Sequence, residues 1–230
     1  MDTLILNSTT AGVVISLLAY GAGVFLRRKT KSDLCNPLLI SIAIVIVFLL
    51  VFRIDYASYS RSAQYLSYLL TPATVALAVP LYRQMDMLKK NLGAVLLAIL
   101  AGVLASLASV LVLSMAFGLT HAQYVTLLPK SITTAIGLGV SEELGGNVTI
   151  SVAAIIVTGV FGNMVIEPIC RLFAIHNPIS KGLAAGTASH AIGTAKAMEM
   201  GEIEGAMSSL AIVVSGLITV VCASLFAGMY

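Results

Sequence analysis

Two lysines lie where a lysine is costly. Lys130 sits in the run LPKSITTAIGLGVSEELGG, Leu128 to Gly146, and Lys196 in GLAAGTASHAIGTAKAMEM, Gly182 to Met200, each flanked by sequence apolar enough for lipid. An ionisable group at membrane depth is tolerated when it faces the protein interior or a wet cavity, so both runs are expected to line a site or pathway. Their company fits that use: Ser131, Thr133 and Thr134 follow Lys130, and Thr187, Ser189, His190 and Thr194 precede Lys196. A polar or anionic substrate leaving water needs a cation or amide donors and hydroxyls around it. We therefore expect Lys130, Ser131, Thr133, Thr134, Thr187, Ser189, His190, Thr194 and Lys196 to form a substrate-binding set. The two ammonium groups would supply the positive field, and His190 would act as a donor or proton carrier. Glu142 and Glu143 are candidates, with His190, for proton coupling. The competing reading is that both lysines snorkel to the membrane interface.

Helices must position such a site. Of 230 residues, 59% are hydrophobic and 10% charged, against roughly 25% charged in soluble domains, which marks an integral membrane protein. Apolar runs near the ~20 residues that cross a bilayer core occur at Leu4 to Leu26, Pro37 to Phe52, Tyr65 to Tyr82, Leu92 to Leu119, Val148 to Ala174 and Met207 to Met229. Runs this long imply helices, because barrel strands are ~10 residues of alternating character. With the two lysine-bearing runs as interrupted passes, the expected fold class is an all-α polytopic membrane protein. It would have about six to eight passes, internal repeats, and interrupted or re-entrant helices. Residues 1–62 are expected to form N-terminal scaffold segments and 63–230 a repeat-containing core, in one integral membrane unit. The cluster Arg27, Arg28, Lys29 and Lys31 places the first loop in the cytoplasm, and the first run is expected to be retained as a helix.

Pro72 and Pro80 in LLTPATVALAVPLY, and Pro129, each remove a helical hydrogen bond, and Gly186 and Gly193 loosen the second lysine-bearing run. These five are the expected helix breaks. Gly102, Ala105 and Ser106 belong to a small-residue face that should pack against another helix, and Asn163 is placed to bond across helices. Glu167, beside Pro168, is either a helix-end carboxylate or part of a proton path. Sliding the chain against itself by 57 positions pairs Pro72 with Pro129, Thr74 with Ser131, Ala78 with Ala135, Gly102 with Gly159 and Val103 with Val160. Repeats with interrupted helices in matching places point to a transporter site; chance alignment of aliphatics is the alternative. If Lys130 to Gly146 dips into the membrane and returns, the second copy is inverted and Arg171 and Lys181 reach the cytoplasm.

Several classes are set aside. Cys35, Cys170 and Cys222 are isolated, so neither a metal cage nor a disulfide framework is indicated, and no cofactor is expected. The net charge of +3 comes from basic residues at helix ends, where topology accounts for them without nucleic acid. No GxSxG elbow, HExxH or paired aspartates suggest an enzyme.

The motifs PATVALAVPLY at Pro72 to Tyr82, PKSITT at Pro129 to Thr134, the glycine pair at Gly145, GLAAGTASHAIGTAKA at Gly182 to Ala197 and EGAMSSLA at Glu204 to Ala211 together resemble the LrgB/CidB family of bacterial membrane proteins. The resemblance spans nearly the whole chain. Ala135 stands where the family usually has proline, and Lys196 where it often has arginine, which keeps the charge but gives up a bidentate grip on carboxylate. The resemblance implies a multi-pass protein of the bacterial inner membrane that works with a small LrgA/CidA-type membrane partner. It also implies movement of small 2-oxo or 2-hydroxy monocarboxylates of the pyruvate, glycolate or glycerate type, as in plastid glycolate/glycerate transporters, by alternating access. The alternative it carries is a holin-like or antiholin-like protein that modulates murein hydrolases and lysis through oligomeric assembly. A homodimer through the scaffold is expected by analogy with elevator-like carriers.

Overall fold

The computed structural model describes residues 10–30, 36–69, 72, 75–76 and 78–230. The chain forms two compact units, Met1–Ala76 and Leu77–Tyr230, where the sequence suggested a boundary after residue 62.

In the first unit α1 (Ala11–Thr30) pairs with α2 (Pro37–Val51), followed by the short α3 (Tyr56–Ser62) and α4 (Gln64–Tyr68). Asn36 caps α2, accepting from the amides of Leu38 and Leu39, and Pro37 occupies a first-turn position whose amide has no helical partner. Asp55 caps α3 through the Ser58 amide. The far end of the unit is tied by Ser62 Oγ, which accepts from the Gly12 amide at 3.0 Å, and by Ser16 Oγ and Tyr59 Oη at 2.6 Å.

The second unit runs α5 (Ala78–Arg83), α6 (Met85–Phe117), α7 (His121–Leu127), a 3-10 turn (Leu128–Ser131), α8 (Thr134–Glu143), α9 (Val148–Leu172), α10 (Pro178–Met200) and α11 (Glu202–Ala227). Val95, Ile99, Val103 and Leu107 recur every fourth residue on α6 and give it one buried face, packed with Tyr124, Val125 and Leu128 and with Met207 and Ala211 of α11. Gly118, at φ 62°, ends α6 in the left-handed conformation that glycine adopts without strain. A capping box between Thr120 and Gln123 then starts α7.

Among the described residues four helices are long and apolar enough to span a membrane: α1, the Leu88–Phe117 part of α6, α9 and α11. The apolar run from Tyr65 to Tyr82, expected to be broken near Pro72 or Pro80, has α4 and α5 at its ends, and 70–71, 73–74 and 77 lie outside the described residues. Cys35 and Lys31 lie outside them as well.

Neither lysine-bearing run crosses the unit. α10 is helical up to Ala188, leaves helical geometry at Ser189 (φ −136°, ψ 17°) and His190 (φ 42°, ψ −139°), and resumes. Its two halves meet their neighbours in opposite senses. On the outgoing half, Gly182 touches the carbonyl of Glu204 and Gly186 that of Ser208, so this half runs parallel to α11. On the returning half, Thr194 meets Ser208 and Met198 meets Gly205, an antiparallel order. Asn163 with Ile192 and Glu167 with Lys196 likewise set the returning half parallel to α9. The helix therefore doubles back, and a side chain on Gly193 would strike the carbonyl of Ala185 at 2.6 Å, though a continuous helix separates such residues by about 12 Å.

The first lysine-bearing run doubles back from the other end. Tyr124 on α7 donates to the carbonyl of Phe226 at the end of α11, and the 3-10 turn carries the chain inward. α8 then returns it, so that Gly146 lies against Thr126, the Asn147 amide donates to Thr126 Oγ1 and Ser151 Oγ donates to the Thr126 carbonyl. Ile132 and Thr133 are extended at the tip. Arg83, Lys89, Lys90, Arg171 and Lys181 fall at the end of the unit where α10 begins and ends, and Glu142 and Glu143 fall at the other.

Of the expected breaks, Pro129 lies at one. Pro80 is inside the helical α5, and Pro72 is described without its neighbours on either side. Gly186 and Gly193 are within helical halves, where their missing side chains permit close approach to Ser208 and Ala185, so the break expected at them falls instead between them.

Candidate functional site

The tips of the two hairpins lie along adjacent turns of α6. Lys130 Nζ donates to Ser106 Oγ at 3.2 Å and to Ser131 Oγ at 3.1 Å, and the two serine oxygens are 2.9 Å apart. One turn along α6, the Thr187 methyl fills the space that a side chain on Gly102 would need. Between α6, α9 and the outgoing half of α10 is a cavity of about 620 Å³, whose lining includes Lys130, Ser131, Ser106, Thr187 and Ser189. Among the described residues no carboxylate pairs with Lys130. Its ammonium, held by hydroxyls alone, gives the cavity a net positive character suited to an anion.

The break that places Ser189 on this wall is supported from α9. Gly162 faces Ser189 so closely that any side chain there would overlap Ser189 Oγ. His190 adopts a positive φ rare for a residue with a side chain, and its Nε2 is held 3.0 Å from the Ile155 carbonyl. Asn163 Nδ2 donates to the Ile192 carbonyl at 2.8 Å just beyond the break. Asn163 thereby gives a backbone carbonyl next to the interruption a partner from another helix.

The other expected residues are dispersed. Lys196 does not join Lys130: it lines a separate cavity of about 330 Å³ with Glu167, Arg171, Glu199 and Lys181. Its Nζ is 3.0 Å from Glu167 and 3.4 Å from Glu199, and Arg171 also reaches Glu167 at 2.6 Å. The expectation of two ammonium groups meeting in one pocket is thereby corrected, because the reversal of α10 brings Lys196 back toward the carboxylate of α9. Thr194 is buried between His190 O and Ser208 Oγ at 3.0 and 2.7 Å. His190 is occupied by the Ile155 carbonyl and does not line the Lys130 cavity. Thr133 and Thr134 begin α8 without lining it, and Glu142 and Glu143 are exposed at the far end of that helix.

Sequence reasoning singled out Ser106 for packing and missed it as a Lys130 partner; its place in a polar trio with Ser131 and Lys130 emerges only when the hairpin tip reaches α6. Glu167, which the sequence places beside Pro168 as a helix-end carboxylate or part of a proton path, is paired with Lys196 and Arg171.

Apolar helices surrounding two re-entrant hairpins, with a cation held by hydroxyls at one tip, define a polytopic α-helical membrane protein with a polar interior site. A sequence model described as the LrgB-like family matches residues 16–229, and the chain belongs to that family. The antiholin-like proteins LrgB of Bacillus mycoides (strain KBAB4), Bacillus cereus (strain B4264) and Bacillus anthracis (strain CDC 684 / NRRL 3495) are each 41% identical to it over 216 residues, 94% of either sequence. No solved structure matches the chain.

Proposed function

We propose that this chain is an antiholin-like protein of the bacterial inner membrane, restraining murein hydrolase activity and cell lysis through assembly in the membrane with a small LrgA/CidA-type partner or with further copies of itself. The observation that carries this reading is the likeness to proteins named antiholin-like, which extends over 94% of both chains. Long apolar surfaces such as Leu97, Leu104 and Val112 on α6 and Val213, Leu217 and Val221 on α11 are exposed and give lipid or neighbouring helices a place to pack. The test is loss of the protein from its own cells: hydrolase bands on murein gels should strengthen and should weaken again on re-expression.

A second reading is favoured by the Lys130 cavity. Here the chain carries small 2-oxo or 2-hydroxy monocarboxylates by alternating access, with Lys130, Ser106 and Ser131 as the anion's partners. The two hairpins support it: their limits are displaced by the same 57 positions, His121 to Pro178 and Glu143 to Met200, and they enter from opposite ends. That is the arrangement an inverted repeat gives, with a site at the midplane between the copies. In reconstituted vesicles, Lys130→Met should reduce pyruvate or glycolate flux at least about tenfold, since the anion would lose its cation inside the membrane. Undiminished flux with intact protein would remove this reading and leave the first standing.

A further inference from the structure

Carriage of a very small acid leaves the shape of the cavity unexplained, and the inference here rests on the second reading's site. The cavity gathers its one charge and most of its hydroxyls at one end. An ammonium has three donors; Lys130 commits two of them to Ser106 and Ser131, and Ser189 lies on the same lining. Thr187 Oγ1, on the neighbouring turn, is buried without a hydrogen-bond partner, a cost that native interiors rarely leave unexplained. Away from this end the lining is largely apolar, with Ala98, Phe161, Val165, Leu183 and Ala184, and the exposed Ser180 at the start of α10 is its polar member. The volume of about 620 Å³ is in the middle of the range that encloses drug-sized ligands. A pyruvate-sized acid would fill a small part of it and leave the apolar end without a partner.

Charge sets a second limit. Lys196, the other interior lysine, is committed to Glu167 and Glu199 in a separate cavity. A dianion would bring one charge more than Lys130 can balance, and an unpaired charge at this depth is costly.

We propose that the Lys130 cavity binds an amphiphilic monocarboxylate, its head on Lys130, Ser106 and Ser131 and its apolar tail along α6 and α9 toward Ala98. Ala98 lies eight residues before Ser106, about 12 Å along the helix. Affinity then rises with tail length.

The experiment is equilibrium binding of radiolabelled octanoate to the purified full-length protein in detergent, competed by acetate, butanoate, octanedioate and octanol. Octanoate should bind at least about tenfold tighter than butanoate, from its additional buried methylenes, and about tenfold tighter than octanol or octanedioate. Lys130→Met should erase the preference over octanol. Ala98→Phe, which fills the tail end, should erase the preference over butanoate, and it decides the matter if the lysine variant does not fold. Equal affinity for octanoate and butanoate in the wild type, or for octanoate and octanol, overturns the proposal. Pyruvate flux without chain-length preference sinks this inference and spares carriage; octanoate binding without flux of any acid does the reverse.

Discussion

Lys130 and Lys196 have the same charge and opposite circumstances. Lys130 is met by hydroxyls alone, whereas Lys196, its side chain 13% exposed, lies between Glu167 and Glu199. The first is a cation available to an anion; the second is a tie between the returning half of α10 and α9. Lys196→Met should lower the thermal midpoint of the detergent-solubilised protein, as should Glu167→Gln, and the pair should couple by about 1 kcal/mol in a double-mutant cycle. Additive effects would show that the tie is without consequence. The sequence made both lysines legible, since charge in an apolar run is easy to see. The partner of Lys196 was not legible, because 29 positions separate it from Glu167 and only the reversal at Ser189 and His190 brings them together. That reversal was also obscured: Gly186 and Gly193 advertised a loosened helix, but the positive φ falls on His190, stabilised by Ile155 and by the room left at Gly162, both on another helix.

Element lengths were readable where apolar runs were continuous, as for α6, α9 and α11. The hairpins were harder, because twenty-three residues of mixed polarity suffice for a crossing by length alone. Direction is set by contacts between elements: the outgoing half of α10 rises with α11, and the returning half runs against it. In a background without native cysteines, Ser180→Cys and Glu199→Cys should react with an impermeant thiol reagent from the same side of sealed vesicles. His121→Cys and Glu142→Cys should react from the opposite side. Labelling of Ser180→Cys and Glu199→Cys from different sides would mean that α10 crosses the membrane and that its hairpin is wrong. In the run from Tyr65 to Tyr82, α4 and α5 are short pieces at the two ends, and Pro72, one of the two prolines near which the sequence predicts a break, lies between them in the chain.

At the scale of the molecule, basic residues gather at one end of the second unit and Glu142 and Glu143 at the other, from which the positive-inside tendency leads us to expect the ends of α10 on the cytoplasmic side. Membership of the LrgB-like family and likeness to antiholin-like proteins over 94% of the chain support the first proposed reading, and the interior cavity supports the second. Lys130 separates these cases, because assembly through apolar helix faces does not use it. The most direct measurement is the rate of detergent-triggered autolysis in cells that lack this protein, with the wild-type chain restored and its membrane level checked. Lysis should be slowed by restoration, and slowed equally by Lys130→Met if assembly alone is responsible. Lysis that proceeds at the same rate with and without the restored protein would contradict the antiholin-like account.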